Sequence, residues 1–322
     1  MAKKNTSRRK ISKKKNKSSI WKASARILSA VCTTIVCIFI LAFLYDYFTS
    51  EKKDSSKAKV EKKEIVSPET TKPAPAKQEP SRTTTKKAEP VSKLSVNGEI
   101  PILKTNRNEQ IIKHTGYTVS YNSDYKIANW VAYELTKKEV TDANEKRTNK
   151  FVYDPKVKGA SASREDYAKS GYDKGHMAPA GDMKWSARAM QESFYLSNIC
   201  PQKPALNRGI WQSLEETIRV WAKEYGELYV VCGPVIEDNL KRLGKNRVGI
   251  PNKFYKVVCD PKGGRAIGFI FENRGYKDTD LRNYVITVDS VEKVTGIDFF
   301  PNFPDDIERK MESQVDFKWS FF

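Results

Sequence analysis

Apolar residues follow two different periods along the chain after residue 94. Runs that alternate with polar residues or stay apolar, and are rich in β-branched and aromatic residues, are typical of strands. Such runs occupy residues 117–122, 129–135, 227–232, 254–259 and 266–271. Residues 260–264 form a turn signal between the last two runs. The pattern predicts a central antiparallel sheet in an α+β domain.

The segment from residue 206 to residue 225 has the period of a helix. Its apolar residues recur at intervals of three or four, at Leu206, Ile210, Leu214, Ile218 and Trp221. A second set recurs at steps of four, namely Asn207, Trp211, Glu215 and Arg219. Because residues four apart share a helix face, Asn207, Glu215 and Arg219 are predicted to face one cleft. The competing interpretation of Glu215 and Arg219 is an exposed helical ion pair.

An uncharged segment near the N-terminus predicts a membrane span. Residues 27–45 are 19 uncharged residues in a row, close to the length that crosses a hydrocarbon core of roughly 30 Å as a helix. Residues 1–26 hold eleven lysines and arginines and no acid. The positive-inside rule then predicts a cytoplasmic arm (1–26), a transmembrane helix (27–48) and a single-pass cell-membrane protein whose remainder is extracytoplasmic. A cleaved signal peptide and a nucleic-acid-binding tail are the alternatives.

Residues 49–94 differ in composition from the segments on either side. They consist mainly of Lys, Glu, Ser, Thr and Pro, with too few apolar residues to offset the entropy of ordering, which predicts a disordered tether. The folded domain is therefore predicted at residues 95–322. The chain has a net charge of +19, but residues 95–322 contribute only +4 of it. The global charge is thus no sign of a nucleic-acid surface on the domain.

Few residues are available for base or thiolate chemistry in the domain. The chain contains two histidines, of which His176 lies in a glycine-containing loop and His114 is predicted to be structural or on the surface. Three cysteines fall in the domain, Cys200, Cys232 and Cys259. Buried free thiols are predicted for them, and a disulfide between two of them is the alternative.

Two short segments concentrate the candidate hydrolytic residues: Gly171-Tyr-Asp-Lys-Gly-His-Met-Ala-Pro179 and Asn198-Ile-Cys-Pro-Gln-Lys-Pro-Ala-Leu-Asn207. Phosphodiester hydrolysis needs an activated water, stabilisation of negative charge and help for the leaving alkoxide. His176 is the candidate base. No cluster of acids lies in these segments. A single carboxamide oxygen, with waters in the remaining positions, would leave a hard cation such as Mg²⁺ weakly neutralised and hence a strong Lewis acid.

These segments resemble the DNA/RNA non-specific endonucleases of the ββα-metal type, whose hallmark is Asp-Arg-Gly-His followed by Asn, Pro-Gln, Asn, Trp and Glu. In this chain the pattern is Asp173-Lys174-Gly175-His176, then Asn198, Pro201-Gln202, Asn207, Trp211 and Glu215. The likeness covers roughly residues 95 to 322. The resemblance implies a ββα-metal finger within the sheet-and-helix domain. The departure is Lys174, where the family has arginine and its two-pronged phosphate contact.

The resemblance also implies a role for each matching residue. Asn207 would be the ligand of Mg²⁺, or of another divalent cation such as Mn²⁺, and His176 would activate water. Glu215 would hold waters of the cation, and Asn198 would hydrogen-bond near the histidine or the cation. Arg219 would lie against the scissile phosphate, with further phosphate contacts from Lys174 and, by a weaker match, Arg147.

The leading hypothesis from the sequence is therefore a membrane-anchored endonuclease that cleaves DNA and RNA without reading their bases. A catalytically weak surface receptor that binds or takes up DNA is the second hypothesis, because Lys174 departs from the family pattern. Hydrolysis of another phosphodiester is a third. A homodimer is left open. Asp173 could orient the catalytic loop or form a turn, and Trp185, Trp211 and Trp221 could belong to the core or stack on bases.

Overall fold

A computed structural model describes residues 98–315 and Trp319. Its centre is a sheet of seven strands, which are β2 (Gln110–Lys113), β3 (Thr118–Asn122), β4 (Ile127–Thr136), β7 (Glu227–Pro234), β10 (Lys253–Asp260), β11 (Arg265–Glu272) and β12 (Val285–Ile286). Their order across the sheet is β12-β11-β10-β7-β4-β3-β2, and every neighbouring pair is antiparallel. The predicted central antiparallel sheet is confirmed.

Smaller elements surround the sheet. Three two-stranded pairs are formed by β1 (Ile102–Leu103) with β13 (Ile297–Asp298), β5 (Asp173–His176) with β6 (Ile199–Gln202), and β8 (Lys241–Leu243) with β9 (Val248–Ile250). The helices are α1 (Lys137–Thr141), α2 (Ala187–Glu192), α3 (Pro204–Asn207), α4 (Ile210–Tyr225), α5 (Val288–Thr295) and α6 (Asp305–Ser313). Short 3-10 helices lie at Arg164–Tyr167, Leu196–Asn198 and Leu281–Tyr284.

Helices cover both faces of the central sheet. Because a strand that is buried on both faces can be apolar at successive positions, the strand segments include continuous apolar runs as well as alternating ones. Val131 and Tyr133 of β4 belong to one core, whereas Trp130 and Ala132 belong to the other. The first core includes the apolar stripe of α4, and the second includes apolar residues of α5 and α6. The predicted arrangement of a sheet flanked by helices is confirmed, and the stripe predicted for residues 206–225 is buried as expected.

The helix predicted over residues 206–225 is divided in two. α3 ends at Asn207 and α4 begins at Ile210, and Gly209 between them has φ −112° and ψ −123°. A Cβ on Gly209 would lie 2.5 Å from the carbonyl oxygen of Ala205, so the close turn requires glycine. The prediction of one continuous helix is therefore wrong at this point, although the segments on both sides of the break are helical as predicted.

A hairpin precedes these helices and carries the histidine. β5 and β6 pair antiparallel, with His176 opposite Ile199 and Gly175 opposite Cys200. A Cβ on Gly175 would overlap the side chain of Gln202, so the close approach of that side chain requires glycine here. The order strand, strand, helix thus places the end of β5 beside α3 and the first turns of α4.

The interpretation of the cysteines and tryptophans can be compared directly with the structure. Cys200, Cys232 and Cys259 are free and buried, as predicted. Trp211 and Trp221 belong to the core beneath α4, and Trp185 packs partly buried against it. The core interpretation of these tryptophans is confirmed.

The structural role predicted for His114 is also confirmed. Its ring is buried, and its Nε2 lies 3.0 Å from Oδ2 of Asp154. The same carboxylate oxygen accepts a hydrogen bond from the hydroxyl of Ser197 at 2.6 Å. His114 therefore ties β2 and the loop that follows it to the segment before β6.

The three N-terminal segments predicted from the sequence lie outside the described residues. These are the basic arm (1–26), the membrane helix (27–48) and the linker (49–94). Within the part of the chain that the structure describes, no helix combines the length and the hydropathy needed to cross a bilayer.

Candidate active site

One cleft collects most of the residues that the sequence singles out. It lies between β5, the segment after β5, and the helices α3 and α4, and has a volume of about 320 Å³. Six of the seven predicted site residues line it: Arg147, Lys174, His176, Asn207, Glu215 and Arg219. The prediction that Asn207, Glu215 and Arg219 face one cleft is confirmed despite the break between α3 and α4. The seventh residue, Asn198, does not line this cleft.

His176 is held in an aromatic setting at the end of β5. Its ring meets Phe194 edge-on, with the ring centres 4.8 Å apart, and lies 5.4 Å from the ring of Phe151. The ring atom Nε2 is buried and has no hydrogen-bond partner among the described residues. Burial first, and then the positive charge of Arg147, lower the pKa of His176 to about 3. The imidazole is therefore neutral at physiological pH and able to accept a proton.

Asn198 supports the segment that follows the histidine. Its side-chain oxygen accepts a hydrogen bond from the backbone N–H of Ala178 at 2.9 Å, and its Nδ2 donates to the carbonyl oxygen of the same residue at 2.9 Å. Nδ2 also donates to the carbonyl of Ser193 at 2.8 Å. Asn198 is fully buried. Its side chain thus fixes the backbone of Ala178, two residues beyond His176. Asn198 therefore supports the site by holding this backbone segment in place.

Asn207 presents one oxygen to the cleft because its nitrogen is already committed. Nδ2 donates to Oδ2 of Asp173 at 3.0 Å, and a carboxylate can only accept, so this contact fixes the orientation of the amide. Among the described residues Oδ1 has no hydrogen-bond donor, and it remains available as an acceptor. A carboxamide oxygen is a suitable ligand for a hard divalent cation. The donor set in the cleft therefore fits the cation that the sequence predicts, with Asn207 as its ligand.

Asp173 has a role that sequence reasoning left between two alternatives. Besides Asn207, it accepts two hydrogen bonds from the guanidinium of Arg208, at 2.7 Å and 2.6 Å. The carboxylate lies on β5 and not in a turn. Among the described contacts its partners are on α3 and the residue after it, so Asp173 orients the asparagine and not the histidine.

Replacing Asp173 with alanine is expected to weaken cation binding and nucleolytic activity by about 10- to 100-fold, the usual effect of removing a partner that orients a metal ligand. Binding of Mn²⁺ and the initial rate of plasmid cleavage measure the two effects. Arg208→Ala is the matched control for Mn²⁺ binding, because it removes the exposed ion pair and keeps the bond between Asp173 and Asn207. An equal loss of Mn²⁺ affinity in both variants would show that the ion pair, and not the orientation of the amide, is what matters.

Glu215 lies in the same cleft, and its pKa differs from the ordinary value of a glutamate. Burial raises the pKa of Glu215 to about 7, and the nearby ammonium of Lys256 opposes that rise. Lys256 is fully buried on β10, with its amine 4.6 Å from the centre of the Trp211 ring. A buried cation therefore lies behind α4, where it favours the charged form of Glu215.

Arg219 is paired with a buried carboxylate. Its Nη1 donates to Oδ1 of Asp182 at 2.7 Å, and Oδ2 of Asp182 accepts a hydrogen bond from the hydroxyl of Tyr133 at 2.8 Å. A Cβ on Gly181 would lie 2.9 Å from Nη1, so the guanidinium passes directly over this glycine. The ion pair that the structure records for Arg219 is thus with Asp182 and not with Glu215.

The remaining two predicted residues bring positive charge to the cleft. The Arg147 guanidinium lies 5.0 Å from the centre of the Phe194 ring, and its Nε donates to Asn149 at 2.7 Å. The Lys174 ammonium lies 5.1 Å from the centre of the Phe151 ring. With Arg208 and Arg219, four cationic side chains line one cleft. Such a cleft can bind a phosphate backbone next to a neutral imidazole.

Three functional candidates were missed by sequence reasoning: Asp182, Lys256 and Arg208. Asp182 lies 37 positions before Arg219, and its neighbours Gly181 and Met183 give no catalytic signal. Lys256 stands in an apolar strand run, where a polar interruption is the one available sign. Arg208 directly follows the candidate metal ligand and could have been considered for that reason.

Known proteins resemble the chain over about three fifths of its length. It is 35% identical over 222 residues to mitochondrial nuclease EXOG of Xenopus laevis, covering 63% of this chain and 62% of the relative. It is 30% identical over 208 residues to human mitochondrial endonuclease G, covering 60% of this chain and 70% of the relative. The match to the Xenopus protein spans about three fifths of that protein's length.

A solved structure shares the fold. The crystal structure of a complex of EndoG with EndoGI, described in terms of EndoG inhibition, superposes with a TM-score of 0.60 at 28% sequence identity. The superposition covers 70% of this chain and 96% of that chain. The mixed fold with a central antiparallel sheet is therefore shared with a nuclease.

The predicted location in the cell membrane is wrong. The similar proteins from Xenopus laevis and human are named as mitochondrial nucleases and not as single-pass proteins of the cell membrane. The prediction rested on residues 27–48, which lie outside the described part of the chain.

The family itself follows from a match over most of the chain. The model of the DNA/RNA non-specific endonucleases matches residues 97–306. That range contains both strands of the β5–β6 hairpin, the helices α3 and α4, and all the residues that line the cleft. The chain belongs to the DNA/RNA non-specific endonuclease family.

Proposed function

We propose that residues 95–322 form a metal-dependent endonuclease that hydrolyses phosphodiester bonds of DNA and RNA without reading their bases. The observation that carries the proposal is that a neutral imidazole, a free carboxamide oxygen and several cations line one cleft. The names of the relatives and the family match support nuclease chemistry. The hairpin β5–β6 with α4 would be the ββα-metal finger.

In the proposed reaction His176 is the general base. Its neutral ring accepts a proton from the attacking water, and the neighbouring rings of Phe151 and Phe194 limit its movement. A phosphate bound against Arg147 partly offsets the positive charge that now disfavours the protonated ring. Substrate binding therefore raises the basicity of His176 where the reaction needs it.

Asn207 would hold a divalent cation directly, Mg²⁺ or another such as Mn²⁺, and Glu215 would hold waters of that cation. When bound, such a cation supplies Lewis acidity that neutralises charge on the phosphate and the leaving oxygen. Asp173 keeps the oxygen of Asn207 directed into the cleft. Glu215 contributes a negative charge to the cleft. The ammonium of Lys256, which is buried against Trp211 of α4, favours the charged form of Glu215.

The positive charge of the cleft explains how a nucleic acid could bind without recognition of its bases. Arg219 is kept in place by Asp182 and leaves other donors of its guanidinium for a phosphate oxygen. Lys174 contributes a point charge in place of the planar fork of arginine. Contacts of this kind fix the backbone of a nucleic acid and carry no base information.

Acidification is expected to weaken cation binding in the cleft. The pKa of Glu215 is about 7, so its carboxylate is present above that value and is neutralised below it. Because binding requires the deprotonated form, the affinity for Mn²⁺ should fall about tenfold from pH 8 to pH 6. His176 stays neutral across this range and does not contribute. Binding in Glu215→Gln should be weak and insensitive to this pH change; an unchanged slope would refute the role of Glu215.

The proposed function is tested with the full chain on supercoiled plasmid and on a long single-stranded RNA. Both substrates should be cut internally in the presence of Mg²⁺, and cleavage should stop with a chelator and resume when Mg²⁺ is restored. Fragment ends mapped by sequencing should show no shared base motif.

Lys174 provides the second arm of this test, since it is the departure that motivated the receptor hypothesis. The wild-type protein should already cleave, because Lys174 supplies the charge near the phosphate, and Lys174→Arg should keep that cleavage while replacing a point charge with a planar fork. A wild-type protein that binds DNA without cutting it, and gains cleavage on Lys174→Arg, would instead support a receptor. Cleavage restricted to small phosphodiesters would support the third hypothesis.

A further inference from the structure

A second cluster of possible cation ligands lies on the face of the sheet opposite α4. It consists of Asp289 and Glu292 on α5 and Glu312 on α6. One carboxylate oxygen from each of them lies within 4.8 Å of the others. Apolar residues of both helices belong to the core on that face of the sheet. The cluster is thus built on two packed helices and shares no residue with the catalytic cleft.

Glu312 lacks a partner that its burial requires. The residue is 6% exposed, and its Oε1 has no hydrogen-bond partner among the described residues. A buried charged oxygen without a partner is strongly unfavourable. One oxygen of Glu292 already has a hydrogen-bond partner, because Oε1 accepts a hydrogen bond from the backbone N–H of Phe299 at 2.8 Å. The buried carboxyl of Glu312 therefore needs either a proton or a bound cation.

The surrounding charges agree with this deficit. Burial first, and then repulsion from Glu292, Glu308, Asp289 and Asp298, raise the pKa of Glu312 to about 9. Lys104, which lies near Glu292, is paired with Asp298 at 2.6 Å and is largely exposed. Negative charge is therefore in excess at this junction of α5 and α6, and a bound proton or a bound cation would relieve it.

We propose that Asp289, Glu292 and Glu312 bind a divalent cation of calcium's size. All three donors are carboxylate oxygens, which hard cations prefer over the nitrogen and sulfur ligands of zinc or copper. One oxygen from each residue lies within 4.8 Å of the others, which is close enough for all three to contact one ion. Calcium accepts irregular sets of carboxylate oxygens, whereas magnesium demands near-ideal octahedral geometry and gives up its waters reluctantly, so a site built from three protein carboxylates suits calcium.

The cation would join α6 to α5. Asp289 and Glu292 are three residues apart on one helix and so share a face, while Glu312 comes from the last turn of α6. A bound ion would hold the C-terminal helix against the sheet. The expected effect is therefore on stability, and it is independent of the proposed nuclease activity.

Thermal unfolding of the full chain, stripped of metal, tests the proposal. Calcium at about one hundred times its dissociation constant should favour the folded state about 100-fold and raise Tm by about 5–10 °C. The rise should be kept in Asn207→Ala, which removes the ligand in the catalytic cleft, and lost in Glu312→Gln. Asp305→Asn is the matched control, since it removes an exposed carboxylate from the same helix, and it should keep the rise.

Direct binding completes the test. Equilibrium dialysis with radioactive calcium should give one site per chain in Asn207→Ala and none in Asn207→Ala/Glu312→Gln. Asp289→Asn, an exposed change that should not disturb folding, should weaken calcium binding at least tenfold. The proposal is overturned if the Tm rise survives Glu312→Gln, if it disappears in Asn207→Ala, or if magnesium stabilises the protein more than calcium does.

Discussion

The His176→Ala variant should lose about 10²- to 10⁴-fold in the initial rate of plasmid cleavage at saturating Mg²⁺, the usual contribution of a general base. The ring it removes is the neutral imidazole at the end of β5, packed between Phe151 and Phe194. His114 cannot replace it, because that ring is buried against Asp154. The binding of DNA, measured in a chelator, should remain, since the cationic side chains of the cleft are unchanged.

Rescue by free imidazole separates a chemical role from a structural one. Alanine leaves a space bounded by the two aromatic rings, which an imidazole from solution can enter, so part of the lost rate should return with increasing imidazole concentration. Asn207→Ala is the matched control and should show no rescue. A His176→Ala protein with a wild-type rate and an unchanged Tm would contradict the assignment of the base.

Strands could be predicted from the sequence because strands that are buried on both faces are rich in apolar, β-forming residues. Residues 227–232 and 254–259 are nearly continuous apolar runs, and β7 and β10 lie at the centre of the sheet with helices on either side. The division of the predicted helix was not visible in the same way. A glycine is tolerated within a helix at a cost of about 1 kcal/mol, so Gly209 alone could not distinguish a continuous helix from a broken one.

The site was predictable where its residues are close in sequence or share a helix face. His176, Asn207, Glu215 and Arg219 are brought together by one hairpin and the helices that follow it. Their supporting partners are set by tertiary contacts instead. Arg219 could pair with Glu215 four residues away or with a distant carboxylate, and the structure records the bond to Asp182.

Asn198 and Lys256 illustrate two further limits. The family resemblance placed the amide of Asn198 near the histidine or the cation, whereas its contacts are with the backbone of Ala178 and Ser193. Lys256 occupies an inward position of β10 beneath Trp211, where alternation alone would have assigned lysine to the outer face. Its burial is intelligible only once Glu215 and Asp182 are known to lie nearby.

The Asn207→Ala variant should lose at least about 10²-fold in cleavage rate, because the Lewis acidity of the cation is worth several kcal/mol in the transition state and each 1.4 kcal/mol is tenfold in rate. Raising the Mg²⁺ concentration should recover little of the loss. Asn207→Asp should also be impaired although it keeps an oxygen ligand, since the Nδ2 that donates to Asp173 at 3.0 Å is replaced by a second acceptor.

The reciprocal exchange tests whether that contact orients the ligand. In Asn207→Asp/Asp173→Asn the donor and the acceptor change places, so the hydrogen bond is restored and an oxygen again faces the cleft. The double variant should bind Mn²⁺ and cleave plasmid better than either Asn207→Asp or Asp173→Asn alone, giving a favourable coupling in the double-mutant cycle. Additive losses in the cycle would mean that Asp173 acts only through Arg208, and the oxygen of Asn207 would then lack the support on which its assignment as the cation ligand depends.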